Sequence, residues 1–131
     1  MASSRVANKL PSQFGSILLA VVPSLNLNAT GDTFVAFPDT PTKFRIRAIA
    51  MTNGSINPTT ARFSVQTAAS GGGTAIVTTV TPSLSSSAVV QDLTIASTNA
   101  YTQQYLYVNV SVAQGAAATV DLYIYGDILT A

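Results

Sequence analysis

The chain has 131 residues with a formal net charge of +1, and charged residues make up only 8% of it against a typical ~25%. It contains no cysteine, histidine, glutamate or tryptophan. Disulfides are therefore excluded, and the usual acid–base and nucleophile–base pairs of enzymes and the imidazole and thiolate ligands of transition metals are missing. We expect no enzyme activity, no catalytic residues, no cofactor and no metal site. A near-neutral surface of this kind favours a protein that works assembled with other subunits.

Residues 1–14, MASSRVANKLPSQF, show no hydrophobic periodicity and carry two of the six basic residues, Arg5 and Lys9. We interpret them as an extended N-terminal arm, followed by a single domain over residues 15–131. We expect the arm to pack on a neighbouring subunit and not on its own domain. The apolar run Ser16–Val22 is shorter than the roughly 20 residues of a membrane-spanning helix and matches a signal peptide poorly, so we predict neither.

Short runs rich in β-branched and apolar residues, separated by turn signals, predict eight strands. The predicted strands cover residues 15–22, 33–37, 43–52, 60–68, 74–81, 88–95, 103–112 and 118–128. Between them we predict a long loop at 23–32 and a flexible turn at 69–73. No segment repeats apolar residues at helical spacing over three turns. The sequence therefore predicts an all-β fold, a β-sandwich of about eight antiparallel strands that resembles a jelly roll.

The segment KFRIRAIAM, residues 43–51, combines an apolar face with a basic one. Its alternation predicts one core face, formed by Phe44, Ile46, Ala48 and Ala50. The opposite face begins with Arg45 and Arg47 and turns apolar at Ile49 and Met51, which predicts that the strand is covered on both faces at its end. The chain has too few basic residues to form the basic surface that nucleic-acid binding needs, so we expect Arg45 and Arg47 to contact an acidic protein neighbour.

The last two predicted strands alternate aliphatic residues with tyrosines. The aliphatic sets, which we predict to face the core, are Leu106, Val108, Val110 and Val112 in one strand and Val120, Leu122, Ile124 and Ile128, with Gly126, in the other. The opposite faces carry Tyr105 and Tyr107 in the first strand and Tyr123 and Tyr125 in the second. A hairpin closed by Gln114–Gly115–Ala116 would bring the four tyrosines into one patch, whereas a jelly roll would place the strands in opposite sheets and split it. Both layouts leave tyrosines outside, where they suit subunit contacts.

The basic arm, the strands rich in Ser, Thr, Ala and Val, the lack of cysteine and histidine, and the final strand LYIYGDILTA together resemble the small β-rich structural proteins of tailed bacteriophages, in particular capsid decoration (cement) proteins. The resemblance implies a jelly roll or related sandwich that clamps neighbouring capsid subunits. It implies the major capsid protein or other virion subunits as partners, and self-association with a trimer favoured over a dimer. It also implies synthesis in the host cytoplasm and a place on the capsid surface. From the few basic residues and the short apolar run, we expect neither nucleic acid nor a membrane as partner.

Two other functions are open on the sequence alone. One is a glycan-binding module of a phage tail, fibre or cell surface, because exposed tyrosines stack on sugar rings and loop Asn or Asp binds hydroxyls. The other is a secreted bacterial surface or pilus-like subunit. The candidate interface residues are Tyr105, Tyr107, Tyr123, Tyr125, Arg45, Arg47, Arg5 and Lys9.

Overall fold

The computed structural model describes residues 17–36, 43–103 and 105–129, and this part of the chain is all-β with no helix. Each of the eight predicted strands is present. Their bounds are β1 Ile17–Asn26, β2 Gly31–Ala36, β3 Phe44–Thr52, β4 Arg62–Gln66, β5 Ala75–Val80, β6 Gln91–Leu93, β7 Tyr105–Val112 and β8 Thr119–Ile128. Most of the apolar run Ser16–Val22 forms the first half of β1. In the described ranges, no helix is long and apolar enough to cross a membrane.

The strands form two antiparallel four-stranded sheets, so the predicted β-sandwich is confirmed. Sheet I has the order β1-β8-β3-β6, and sheet II has the order β2-β7-β4-β5. The pairs β1–β8, β2–β7, β3–β6 and β4–β5 are nested, as in a ribbon folded at the β4–β5 turn, and they alternate between the two sheets. β7 and β8 therefore lie in opposite sheets, and the hairpin arrangement of the last two strands is wrong.

The aliphatic faces of β7 and β8 form the centre of the core. Six of the residues predicted to be inside are at most 2% exposed: Leu106, Val108, Val110, Val120, Leu122 and Ile124. Val112 and Ile128 were also predicted to be inside, but they are 39% and 43% exposed. Each is the last residue of its strand, and Val112 also follows a register shift between β7 and β4.

A bulge in β3 overturns the predicted faces of that strand. Its register against β8 shifts between Ile46 and Ala48, so one extra residue is inserted and the alternation changes side. Ile49 and Met51 are consequently buried in the core, whereas Ala48 is exposed and Ala50 only partly buried. Ile49 and Met51 thus lie on the core face, and the opposite face at this end of the strand is only partly covered within the described residues.

Gly126 of β8 lies where this bulge brings two strands close together. A Cβ atom at this position would overlap the backbone carbonyl of Arg45 and lie 2.8 Å from Leu19 Cδ1. A glycine within a strand commonly marks such a close backbone approach. The bulge in β3 and the glycine in β8 are therefore two parts of one feature.

The loops are shorter or better anchored than predicted. β1 runs to Asn26 and β2 begins at Gly31, so the predicted loop at 23–32 is reduced to residues 27–30. The turn after β4 is tied back to sheet II, because Ser70 N donates to Asp32 Oδ2 at 2.8 Å. Ser70 has a positive φ of 58°, and the glycines beside it supply further left-handed positions.

Candidate interaction surfaces

The outer side of sheet I carries a continuous apolar surface. Side chains of directly opposed strand residues share a face. In register, Tyr125 lies between Leu18 and Ala48, and Tyr123 lies between Val21 and Ala50. We call the surface formed by these two rows the sheet I face, and its members are Leu18, Val21, Ala48, Ala50, Tyr123 and Tyr125.

The exposed part of the sheet I face is aliphatic at its β1 side and tyrosine-lined in the middle. Leu18 is 49% and Val21 41% exposed, and both tyrosines are partly buried. The alternation that buries Leu122 and Ile124 in the core places these rings on the opposite side of β8. Two tyrosines flanked by exposed aliphatic side chains are typical of a contact surface, because a tyrosine buries a large area and keeps a polar tip.

A cluster of charges closes one end of this face. Arg45 Nη2 lies 2.6 Å and Arg47 Nη1 3.2 Å from Asp127 Oδ2. Burial raises the pKa of Asp127, but the hydrogen bonds from both guanidinium groups and their positive charges outweigh it, so the pKa lies below the ordinary aspartate value of 3.8. Both arginines thus have an acidic partner within their own subunit, although their side chains stay 36% and 45% exposed.

The opposite end of the face is polar and is built around Asp121. Its Oδ1 accepts a hydrogen bond from Ser24 N at 2.8 Å, and its Oδ2 accepts one from Asn53 Nδ2 at 2.8 Å. This carboxylate fixes the bulged end of β1 and the turn after β3. Polar groups at both ends therefore frame the apolar rows between them, as a polar rim frames the centre of an interface.

The outer side of sheet II carries a different surface, which we call the aromatic cluster: Phe34, Tyr105 and Tyr107. Phe34 of β2 pairs in register with Tyr107 of β7, and their ring centroids are 5.3 Å apart in an edge-to-face arrangement. The centroid of Tyr105 lies 6.0 Å from that of Phe34. Phe34 is 68% and Tyr105 48% exposed, so the cluster opens to solvent.

Polar residues lie next to the aromatic cluster on the same side of sheet II. Asn109 Nδ2 donates to Asp32 Oδ1 at 2.8 Å, and Ser70 N occupies the other carboxylate oxygen. Ser64 and Gln66 of β4 are buried and joined by a hydrogen bond of 3.1 Å. Asp32 thus holds β2, β7 and the β4–β5 turn together.

The structure separates the predicted site residues into these two surfaces. Tyr123 and Tyr125 belong to the sheet I face, and Tyr105 and Tyr107 to the aromatic cluster, so the single patch of four tyrosines does not form. Arg5 and Lys9, with the arm at 1–14, lie outside the described residues. Sequence reasoning missed the aliphatic residues of β1 and also Phe34. The alternation of Phe34 with the buried Val35 was the available signal, but it did not reveal the strand that β2 joins.

A metal site needs several converging ligands, and a small-molecule site needs an enclosed pocket. No three metal-ligating side chains come together in this part of the chain. A depression beside Arg45 and Arg47, also lined by Ile95 and Thr98, measures about 240 Å³. Ligand pockets usually enclose about 300–1,000 Å³. The surfaces that stand out are the two sheet faces.

Comparison of the chain with protein-family models, curated proteins and solved structures finds no match. Within the described ranges the chain is an eight-stranded antiparallel sandwich, with the sheet I face on one sheet and the aromatic cluster on the other.

Proposed function

We propose that this chain is a non-enzymatic structural protein of a bacteriophage virion, of the capsid decoration type. It stabilises the shell by contacts with the major capsid protein or other virion subunits. In this proposal it is made in the host cytoplasm and lies on the outside of the capsid. Neither nucleic acid nor membrane is a partner.

The sheet I face is the observation that carries the proposal. Its apolar rows lie on the side of sheet I that faces away from the buried core. A chain with only 8% charged residues gains little solubility from its surface, so covering this face with another subunit is favourable. The polar groups at both ends of the face supply the rim that such a contact needs.

The nested pairing of the strands supports a jelly roll as the finer description of the fold. An eight-stranded jelly roll arises when a folded ribbon of strand pairs is wound so that successive pairs enter alternate sheets. The alternation of the nested pairs between sheets I and II supports this description. Capsid and lectin domains are among the proteins built in this way. The fold is therefore compatible with a virion role but does not by itself specify one.

The proposal is tested by locating the chain in purified virus particles of its source. Particles are banded by density and washed, and the copy number of the chain relative to the major capsid protein is measured by mass spectrometry. We expect many copies per particle, removable by mild denaturant without dissolving the shell. A chain that is expressed during infection but missing from purified particles would contradict the proposal.

A second candidate function is glycan binding, which the aromatic cluster favours. Exposed rings next to the polar pair Asp32 and Asn109 are the kind of surface on which sugar rings stack. Against it, both carboxylate oxygens of Asp32 already accept hydrogen bonds from the protein, which leaves fewer acceptors for sugar hydroxyls. A glycan array probed with the wild-type chain and with Tyr105→Ala would support this function if binding is strong and lost in the variant.

A further inference from the structure

The strands at the four sheet edges differ in how well their free backbone groups are protected. An unprotected edge presents unpaired N–H and C=O groups to which another strand can add, and natural proteins block such edges with proline, bulges, short strands or charges. In sheet I, β1 contains Pro23 and two register shifts, and β6 is only three residues long. In sheet II, the segment after β6 contacts β5, because Ala96 N donates to the carbonyl of Ile76 at 2.7 Å.

β2 is the edge strand that lacks such a block. It pairs with β7 from Gly31 to Ala36 in one uninterrupted register with no bulge. It has no proline or lysine, and its one charged residue, Asp32, is bound to Ser70 N and to Asn109 within the same subunit. Among the residues that the structure describes, no backbone hydrogen bond from outside β7 reaches β2. Within the described ranges, its outer row of backbone groups is therefore available to a further strand.

The side chains at this edge are also suited to a contact. Phe34 has the highest exposed fraction, 68%, of the large apolar side chains in the described ranges. Its ring touches Tyr105 and Tyr107, so the aromatic cluster reaches the same edge at which the backbone is open. A strand added to β2 would pair with these backbone groups and would cover Phe34 at the same time. One partner thus accounts for both observations.

We propose that β2 pairs with β2 of a second copy, antiparallel and about a two-fold axis, so that two copies share one continuous sheet. In this antiparallel arrangement, the side chains of the two β2 strands are compatible with one another. When Phe34 lies opposite Phe34 of the partner subunit, Asp32 lies opposite Ala36 of the partner subunit. The two carboxylates are thereby kept apart, and the aromatic clusters meet across the axis.

The near-zero net charge of the chain favours pairing with a second copy over pairing with a strand of a different, charged protein. Because each copy has a formal net charge of only +1, two copies approach without strong repulsion. The one charged residue of β2, Asp32, is already bonded within its subunit, so β2 has no unpaired charge that would select an oppositely charged partner. A contact of this kind uses the same surface on both copies and closes at two. It therefore predicts a dimer, in contrast to the trimer that the resemblance to decoration proteins favours.

The test is sedimentation equilibrium of the full chain and of two lysine variants. Phe34→Lys places a positive charge on each side of the two-fold axis without entering the core, because Phe34 is exposed. Val90→Lys is the matched control, since Val90 is 59% exposed and precedes β6 at the edge of sheet I. We expect the wild-type chain and Val90→Lys to sediment at twice the 13.5 kDa chain mass. The dissociation constant of Phe34→Lys should rise by at least about tenfold.

Hydrogen exchange distinguishes strand pairing from a contact through side chains alone. The β2 amides that point away from β7 should be protected in the dimer and lose protection on dilution, while the amides at the centre of β8 stay protected at all concentrations. If Phe34→Lys does not fold by circular dichroism, Phe34→Ser takes its place with the same expected weakening.

Three results would overturn this proposal. They are a wild-type chain that stays monomeric at its highest soluble concentration, a wild-type trimer, and a Phe34 variant that folds and associates as tightly as wild type. The β2–β2 contact and the proposed virion function are tested independently. If the chain dimerises through β2 but is missing from purified particles, the contact is supported and the virion function is contradicted.

Discussion

Replacing Tyr123 with alanine tests whether the sheet I face is a subunit contact. The ring is partly buried, and its cross-strand neighbours are Val21 and Ala50 on the outer side of the sheet. Its removal leaves the core intact, so only cross-strand pairs are lost, at about 0.2–1 kcal/mol each. The free energy of unfolding of the isolated domain should therefore fall by only about 1 kcal/mol. A tyrosine at the centre of an interface typically contributes about 2 kcal/mol or more, which is roughly thirtyfold in the dissociation constant.

The assay titrates the protein onto particles from which it has been stripped and measures the bound fraction by co-sedimentation. Urea denaturation of the same samples gives the free energy of unfolding. Ile56→Ala is the matched control, because Ile56 is 41% exposed and lies in the loop between β3 and β4, outside both surfaces. We expect Tyr123→Ala to bind about thirtyfold more weakly and Ile56→Ala to bind like wild type. Unchanged binding of Tyr123→Ala would refute the contact, and a loss of several kcal/mol in stability would identify the ring as a structural residue.

Three further predictions concern the fold. Val108→Asp should abolish folding, because Val108 is fully buried and the new carboxylate has no partner; a cooperatively melting variant would refute the assignment of the core face of β7. Gly126→Ala should destabilise the domain by about 2 kcal/mol or more, since its Cβ would overlap the carbonyl of Arg45, and a denaturation midpoint equal to wild type would show that the β3 bulge relaxes freely. The lowered pKa of Asp127 means that its ion pairs stabilise the fold at pH values above the ordinary aspartate pKa of 3.8. This contribution is lost as the pH falls through the still lower pKa of the folded state. We expect Asp127→Asn to cost about 1 kcal/mol or less at neutral pH and to converge with wild type in acid denaturation, and a gap that persists at low pH would contradict this.

Alternation of period two in the sequence was enough to predict the eight strands and the core faces of β7 and β8. From Leu106 to Val110 and from Val120 to Ile124 every second residue is aliphatic and neither strand has an inserted residue, so the local pattern and the observed burial agree there. The pattern fails only at the strand ends, where β7 gains Ser111 against β4 and Val112 and Ile128 are exposed. β3 shows the limit of this reasoning. Its bulge after Ile46 arises from pairing with β8 at Gly126, a position distant in sequence, and one inserted residue exchanges the two faces.

The candidate surfaces were only partly predictable for a related reason. The outward direction of the four tyrosines follows from alternation, but their neighbours depend on which strands pair. Tyr107 lies beside Phe34 and Tyr123 beside Val21 because β7 pairs with β2 and β8 pairs with β1. A single sequence with little charge gives no signal for those pairings, so both layouts of the last two strands were equally consistent with it.

We propose that this chain is a structural protein on the outside of a virion. The most direct measurement combines surface labelling with quantitative mass spectrometry of intact, purified particles from its source. The account predicts that the chain is present in many copies and that Lys43, which is exposed in the described structure, is labelled while the shell is intact. Absence of the chain from purified particles, or its recovery only after the shell is opened, would contradict the account.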